Sequence, residues 1–459
     1  MTSAKASTPS VLGSPLWLPA GSLQRFTLVL WIGAYTAIYY LTYVVFTSPE
    51  WAYFGAGFDP RWSGEDIALF VMLALLPALW LPIGVQRVSD LFILLQYLLI
   101  YIPALLLVRH SSIPVVSHEF GTLLSFSLFS GMTIMVCLRR SLPLLALPRP
   151  PIPPGLTWGI ISCGLALSLC GLWVVLGGKF RLVGLFDVYS IRDEVTDILE
   201  GGGGGRWAGY AFAWANALFL PLLFARGCCN REPLPLLAVA GGYLFLFGVW
   251  AAKTSLFAPV YLCLFYILLG RKRPDVVPHV LCLGMMSLLL VPYVFGDPRS
   301  ESALRTVWVA VVHLRVFTVP SLLVTQYADF FASHPLTYGS HITGINLLIP
   351  YPYDLDIPRT VGFQYYGAMV TSNVSFWAQD GIAGLGIGGI PVVSVLASLV
   401  LWIADSATAH LPLRFVGTAM CGVLINFLGS SLFTTLLTGG MLLMMLLLWA
   451  MPSRPSGSR

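Results

Sequence analysis

Twelve apolar runs, each roughly 18–24 residues long, dominate this chain and restrict it to one broad class of fold. They fall near 26–46, 66–85, 91–108, 120–138, 156–177, 207–225, 233–251, 254–270, 276–295, 381–404, 412–429 and 431–451. Hydrocarbon offers no partners for backbone N–H and C=O groups, so runs of this length must satisfy them internally as helices. The expectation is an all-α polytopic membrane protein with about 12 transmembrane helices. Only 10% of the 459 residues are charged and 57% are hydrophobic, against about a quarter charged in soluble chains. Mean hydropathy is +0.82. Residues 1–25 and 452–459 read as cytoplasmic tails, the first Ser/Pro-rich and without a cleavable signal peptide.

An even number of spans places both termini on one side. With the termini cytoplasmic, the inner loops carry Arg87, Arg139, Arg140, Arg149, Arg226, Arg231, Arg271, Lys272, Arg273 and Arg414, opposed only by Asp90, Glu232, Asp275 and Asp405. Short cytoplasmic loops rich in Lys/Arg are the usual bias. The net charge of +5 is read as that bias and not as nucleic-acid binding. The spans themselves hold Gln96, Asn216 and Asn426 as their main polar groups, with no buried carboxylate expected.

Between the ninth and tenth runs, over 296–380, the apolar pattern stops, and tyrosines mix with charged residues. Loops beyond about 12–15 residues are usually functional or disordered, and this one is too aromatic for a disordered tether. It reads as an outward-facing folded cap. Thr306 to Thr325 is apolar but contains His313, Arg315 and Pro320; it is taken as an interfacial helix or part of the cap, because a charge at mid-bilayer is costly. A second external segment, 179–206, repeats Leu182, Leu185, Phe186, Tyr189, Val195, Ile198 and Leu199 at helical spacing, which suits a helix on the membrane surface. It ends in Gly201 to Gly205, read as a hinge or plain connector.

The outward basic residues include Arg61, Arg109, Lys179, Arg181, Arg192, Arg206, Lys253, Arg299, Arg305, Arg315 and Arg359. So many exported cations point to an anionic partner, and the guanidinium fork suits phosphate. Lys253 stands in a tight turn between two spans, where it either meets an anion or snorkels. Acid/base candidates are His313, His334, His341, Asp329, Asp354 and Asp356, with the base left open among them. The proline-stiffened run from Ile349 to Arg359 sets Tyr351 and Tyr353 beside Asp354 and Asp356, a mixture suited to sugar rings. The eight cysteines show no CxxC or CxxH spacing and no HExxH is present, so no metal site or disulfide framework is expected; they read as small buried apolar residues.

Three segments carry a family resemblance. They are Asp187-Val-Tyr-Ser-Ile-Arg-Asp-Glu194, with its Tyr-x-x-Arg core; Ala251-Ala-Lys-Thr-Ser-Leu256; and Ser372 to Gly389, which runs from polar to glycine-rich. In these and in layout the chain resembles Wzy-type O-antigen polymerases and, more distantly, O-antigen ligases, whose His-Asn/Ser motif it lacks. The resemblance implies a GT-C-like inner-membrane glycosyltransferase with a periplasmic active site. Such an enzyme polymerises undecaprenyl-diphosphate-linked repeat units without a cofactor, metal or nucleotide donor. Its partners would be the lipid-linked donor and acceptor, membrane lipids and a chain-length regulator protein. By the same resemblance Arg192 and Lys253 lead as diphosphate contacts, supported by Arg299, Arg305, Arg315 and Arg359. His313 and Asp354 join Arg192, Lys253 and Arg359 as catalytic candidates, and Arg181, Tyr189, Tyr353 and Asn373 as substrate contacts. The main rival is a flippase or transporter for the same lipid-linked glycan, which would want charged groups near the midplane.

Overall fold

The computed structural model describes residues 22–57, 63–110, 118–150, 152–182, 205–295, 302–368 and 370–452, with 184, 191, 194, 195 and 197–199 between them. In chain order the principal helices are α1 Ser22–Phe54, α2 Gly64–Leu75, α3 Val88–Val108, α4 Glu119–Ser141, α5 Gly155–Val175, α6 Trp207–Asn230, α7 Pro233–Trp250, α8 Lys253–Leu269, α9 Pro274–Phe295 and α10 Ala303–Ser333. Then follow α11 Ile357–Tyr366, α12 Gly389–Thr408, α13 Leu413–Leu428, α14 Leu432–Leu436 and α15 Met441–Trp449. Among the described residues there is no strand, and nine helices are long and apolar enough to cross a membrane. The chain is therefore an all-α, multi-pass membrane protein.

Twelve uniform spans were expected, and the helices are less uniform than that. The runs at 254–270 and 412–429 form helices of 17 and 16 residues. The run at 66–85 becomes α2 followed by a 3-10 turn over Leu76–Leu79. The last run, 431–451, breaks into α14 and α15 around Gly440, which has φ +78°. That left-handed backbone favours glycine and ends a helix.

The largest correction concerns the expected cap. Residues 303–333, where an interfacial helix or part of the cap was expected, are one continuous 31-residue helix long and apolar enough to cross a membrane. Phe317 packs on Tyr39 of α1 at 6.2 Å, and Ser321 Oγ donates to Ile100 O of α3 at 3.1 Å. Hydropathy outweighs the few polar side chains here because His313 is buried against Phe46, while Arg315 stays exposed. Only 334–376 remains as an irregular loop with the short α11 in it.

Five π-helical segments interrupt these helices: Tyr43–Thr47, Tyr97–Tyr101, Ala215–Phe219, Val309–Thr318 and Trp377–Ile382. Four of the five end two residues before a proline, namely Pro49, Pro103, Pro221 and Pro320. A proline has no N–H, and its ring collides with the carbonyl one turn back. Widening the preceding turn lets those carbonyls swing clear and find other donors. The fifth, Trp377–Ile382, has no proline after it and needs another cause.

Carboxylates are buried where none was expected. Asp90 is 0% and Asp405 3% exposed. Asp90 accepts from Gln86 N and Arg87 N, each at 2.9 Å, and from Arg139 Nη2 at 2.8 Å; Asp405 accepts from Ser89 N at 3.1 Å and from Ser89 Oγ. They tie the start of α3 to α4 and to the end of α12, and are tolerated because donors replace the lost water. The cysteines are likewise less buried than expected: Cys137, Cys163, Cys170 and Cys263 are exposed on the helix surfaces. In the 179–206 segment, Ile191 and Val195 pack against Leu176, Phe247, Val249 and Ala251, so these two rest on protein; Leu185, Phe186 and Tyr189 lie outside the described residues. Gly201–Gly204 lie outside the described residues.

Candidate functional site

The π turn Trp377–Ile382 is held by glycine. Gly381 and Gly389 stand so close that a Cβ on either would strike the other's backbone. The turn therefore doubles back tightly on α12, and Trp377 Nε1 donates to Ser394 Oγ at 2.8 Å. This close approach explains the glycine-rich run after Asp380. It also turns Gln379 and Asp380 toward the loop over 334–376 and the break between α13 and α14.

A cavity of about 620 Å³ opens there, a volume typical of small-molecule sites. Its wall is built from Tyr210 of α6, residues 340–343 and Asn346, Tyr351 and residues 354–358, Asn373, Gln379 and residues of 431–438. Among the described residues no Lys or Arg lines it. Asp354, Asp356 and the hydroxyls of Ser340, Thr343, Ser431, Thr434 and Thr438 do. Gln379 Oε1 is buried with no donor. A buried unsatisfied acceptor is uncommon and asks for a ligand or water proton.

At the edge of this cavity Asp380 organises a hydrogen-bonded chain. It accepts from Ser431 Oγ at 2.7 Å and Leu432 N at 2.6 Å, and its Oδ1 lies 3.3 Å from His341 Nε2. The two side chains are only 4% and 9% exposed. His341 Nδ1 lies 2.9 Å from Thr337 Oγ1, which is also 3.0 Å from Ala383 O. The Thr337 hydroxyl has a single hydrogen for these two positions. When it donates to Nδ1, Nε2–H donates to a carboxylate and the imidazole is neutral. When it donates to Ala383 O, Nδ1–H donates to the hydroxyl and the ring carries a second proton. Rotating one hydroxyl thus lets the network take up one proton beside the cavity.

Aromatic packing supports the opposite wall. Tyr351 and Tyr353 meet at 5.8 Å, and Tyr353 packs on Phe330 and Phe331 at 5.8 and 6.2 Å. Tyr351 donates to Leu355 O at 2.8 Å. Burial first, then the Asp356 carboxylate, hold the Tyr351 hydroxyl well above its ordinary value, so it stays a neutral donor.

The expected site residues divide sharply. Asp354 and Asn373 line the cavity, and Tyr353 buttresses it from behind. Arg359 is at its rim, with Nε 3.8 Å from Asp356 Oδ1. The other described cations are elsewhere. Arg181 and Lys179 both clasp Glu194, at 2.8 and 2.5 Å. Arg305 is buried with its Nε 3.5 Å from Glu50. Arg315 lies near Tyr366. Lys253 opens α8 after Ala251, whose φ is +52°, and does not line the cavity. The expected cationic cluster is therefore not assembled among the described residues; most of these charges find nearby carboxylates instead. Arg192, Tyr189 and Arg299 lie outside the described residues.

His313 is also displaced from the expected chemistry. It sits in the π segment of α10 against Phe46, away from the cavity, with neither ring nitrogen hydrogen-bonded. His334 stacks on Phe330 at 4.0 Å and bonds Phe330 O, closing the end of α10. Asp329 accepts from Tyr365.

Gln379, Asp380, Ser431 and Tyr210 were missed. The Ser372–Gly389 segment pointed to the first two, but Ser431 and Tyr210 were counted as ordinary span residues. Nothing along the chain links Ser431 to Asp380, 51 positions away. Comparison of the chain with models of known families, with curated proteins and with solved structures finds no match, and the site stands on this geometry alone.

Proposed function

We propose that this protein is a membrane glycosyltransferase that extends a surface polysaccharide, moving a glycan from a lipid diphosphate to a sugar hydroxyl held in the Asp380 cavity. The observation that carries this reading is the cavity's chemistry: carboxylates, hydroxyls, amides and tyrosines line it, and among the described residues no Lys or Arg does. Such a lining favours a ligand rich in O–H donors over a phosphate. His341 and Asp380 supply the base. The acceptor O–H proton passes to the pair, the freed oxygen bonds the anomeric carbon, and the bond to the diphosphate breaks with its electrons leaving on the lipid. General-base help of this kind is worth about 10²–10⁴-fold. Asp354, Asn373 and Gln379 position the acceptor, and Arg359 is the described cation nearest the site.

The positive-inside rule orients this reading. Arg139 is tied to Asp90, close in the chain to Gln86 and Arg87, and Gln86 shares a second cavity with Arg271 and Arg414. On this reading that end is cytoplasmic, and the Asp380 cavity opens to the periplasm of an inner membrane.

A transporter of lipid-linked glycan draws support from the buried Asp90 and Asp405, but both carboxylates are engaged in tying helix ends together. Reconstitution separates the two. Vesicles holding the purified protein and lipid-linked repeat units should yield lengthened glycans with no nucleotide sugar, and should still do so after chelation of divalent metal. Units moved across the bilayer but never lengthened would refute the transferase.

A further inference from the structure

We propose that the cavity enclosed by Arg271 and Arg414 is a second binding site, taking an anionic phosphate group. This does not depend on the transferase reading. The cavity measures about 410 Å³ and is lined by Gln86, Leu269, Arg271, Val277, Leu413 and Arg414 among others, with no carboxylate among the described residues. Among the described residues neither arginine has an ion pair. Asp275, the nearest acid in sequence, is turned to Gln24, whose Nε2 lies 3.5 Å from its Oδ2.

The Arg414 guanidinium is seated before any ligand arrives. Its Cζ lies 3.6 Å above the centre of the Tyr266 ring, and its Nε donates to Tyr266 O at 3.0 Å. Gly270, one turn on from Tyr266, leaves room for it: a Cβ there would stand 2.6 Å from Cζ. Ring, carbonyl and glycine all belong to the end of α8, so the fork is fixed and its Nη groups stay free to donate in parallel to phosphate oxygens. Arg271, exposed on the following turn, closes from the other side. Leu269, Val277 and Leu413 form an apolar wall, which strengthens the attraction and gives an acyl chain a surface.

The phosphate belongs either to an anionic lipid headgroup or to a free ion, and native mass spectrometry of the full chain in detergent tells them apart. Phosphatidylglycerol should be retained by the wild type in preference to zwitterionic phosphatidylcholine. Retention should fall about tenfold in R271Q and in R414Q, the loss of one charge-assisted contact, and recover in R271K. G270A, which unseats the fork, should behave like R414Q. Displacement of the lipid by millimolar inorganic phosphate identifies the free ion as ligand; no displacement identifies the headgroup. Equal retention of both lipids, or R271Q and R414Q holding phosphatidylglycerol as the wild type does, overturns the proposal. Because Arg271 is exposed, R271Q keeps the test valid even where R414Q fails to fold.

Discussion

Two cavities sit at opposite ends of α13, and they have opposite chemistry. Arg414 stands in the first turn of that helix and Ser431 three residues past its last, so its 16 residues separate them by about 24 Å at 1.5 Å per residue. The Ser431 end is lined by carboxylates, hydroxyls and tyrosines, and the Arg414 end by guanidinium and aliphatic groups. One combines acceptors with neutral donors, and the other offers charged donors. Reading the chain by charge alone assembled phosphate-binding cations at the first end; in the fold, the cavity with unpaired arginines is at the second.

Removing the proton acceptor tests the acidic end most severely. Asp380→Asn or His341→Gln should lower glycan lengthening by about 10²–10⁴-fold, read as product ladders from reconstituted vesicles, with detergent-solubilised protein melting near the wild-type temperature. Normal ladders from both variants would remove that end from the chemistry.

Buried carboxylates at the two ends should then behave differently. Asp90→Ala strips Arg139 of its buried partner and should cost about 3–5 kcal/mol of stability, seen as early thermal unfolding. Replacing both residues with leucine should restore most of it. If Asp90→Ala melts like the wild type, the ties at this end are not structural.

Gln379→Met sharpens the contrast further. Its orphan acceptor costs stability when unligated, so a nearly isosteric apolar side chain should leave melting unchanged or raise it. KM for the acceptor should rise about tenfold, the worth of one hydrogen bond. A drop in stability with unchanged KM would make Gln379 part of the packing.

The smallest effect belongs to the exposed clasp at Glu194. Hydrogen bonds from Lys179, then Arg181, hold its carboxyl below the usual value. A depressed folded value means that its contribution is complete above the ordinary glutamate range and is lost as pH falls through the folded value. The difference in melting between wild type and Glu194→Gln should therefore be slight and flat at neutral pH, and fade only in acid. A difference that grows as pH falls would contradict this sign.

The class of fold was legible because hydropathy is local: seven of the nine long helices lie on runs marked by apolar length alone, α1, α3, α4, α5, α6, α7 and α9. The eighth, α12, was placed with its start too early, because the run from Gly381 looks continuous and only the doubling back of Gly381 on Gly389 breaks it. The ninth, α10, was not counted among the apolar runs because His313 and Arg315 looked costly, and the side on which each would fall was not visible. Within the site, Asp354, Asn373 and Tyr353 were found from a local mixture of acid, amide and ring. Asp380 was quoted but not singled out, since its meaning depends on partners 39 and 51 positions away.

By itself, then, the chain's composition and spacing determine that it is a helical membrane protein whose polar chemistry concentrates late in the sequence. Apolar length and proline position act on neighbouring residues, so they can be read in one dimension. Tertiary structure alone decides which charges are spent on partners and which are left facing a hollow. Coulomb and hydrogen-bond energies depend on distance in space, and a helix turn or a glycine contact resets those distances without leaving a mark in the order of residues.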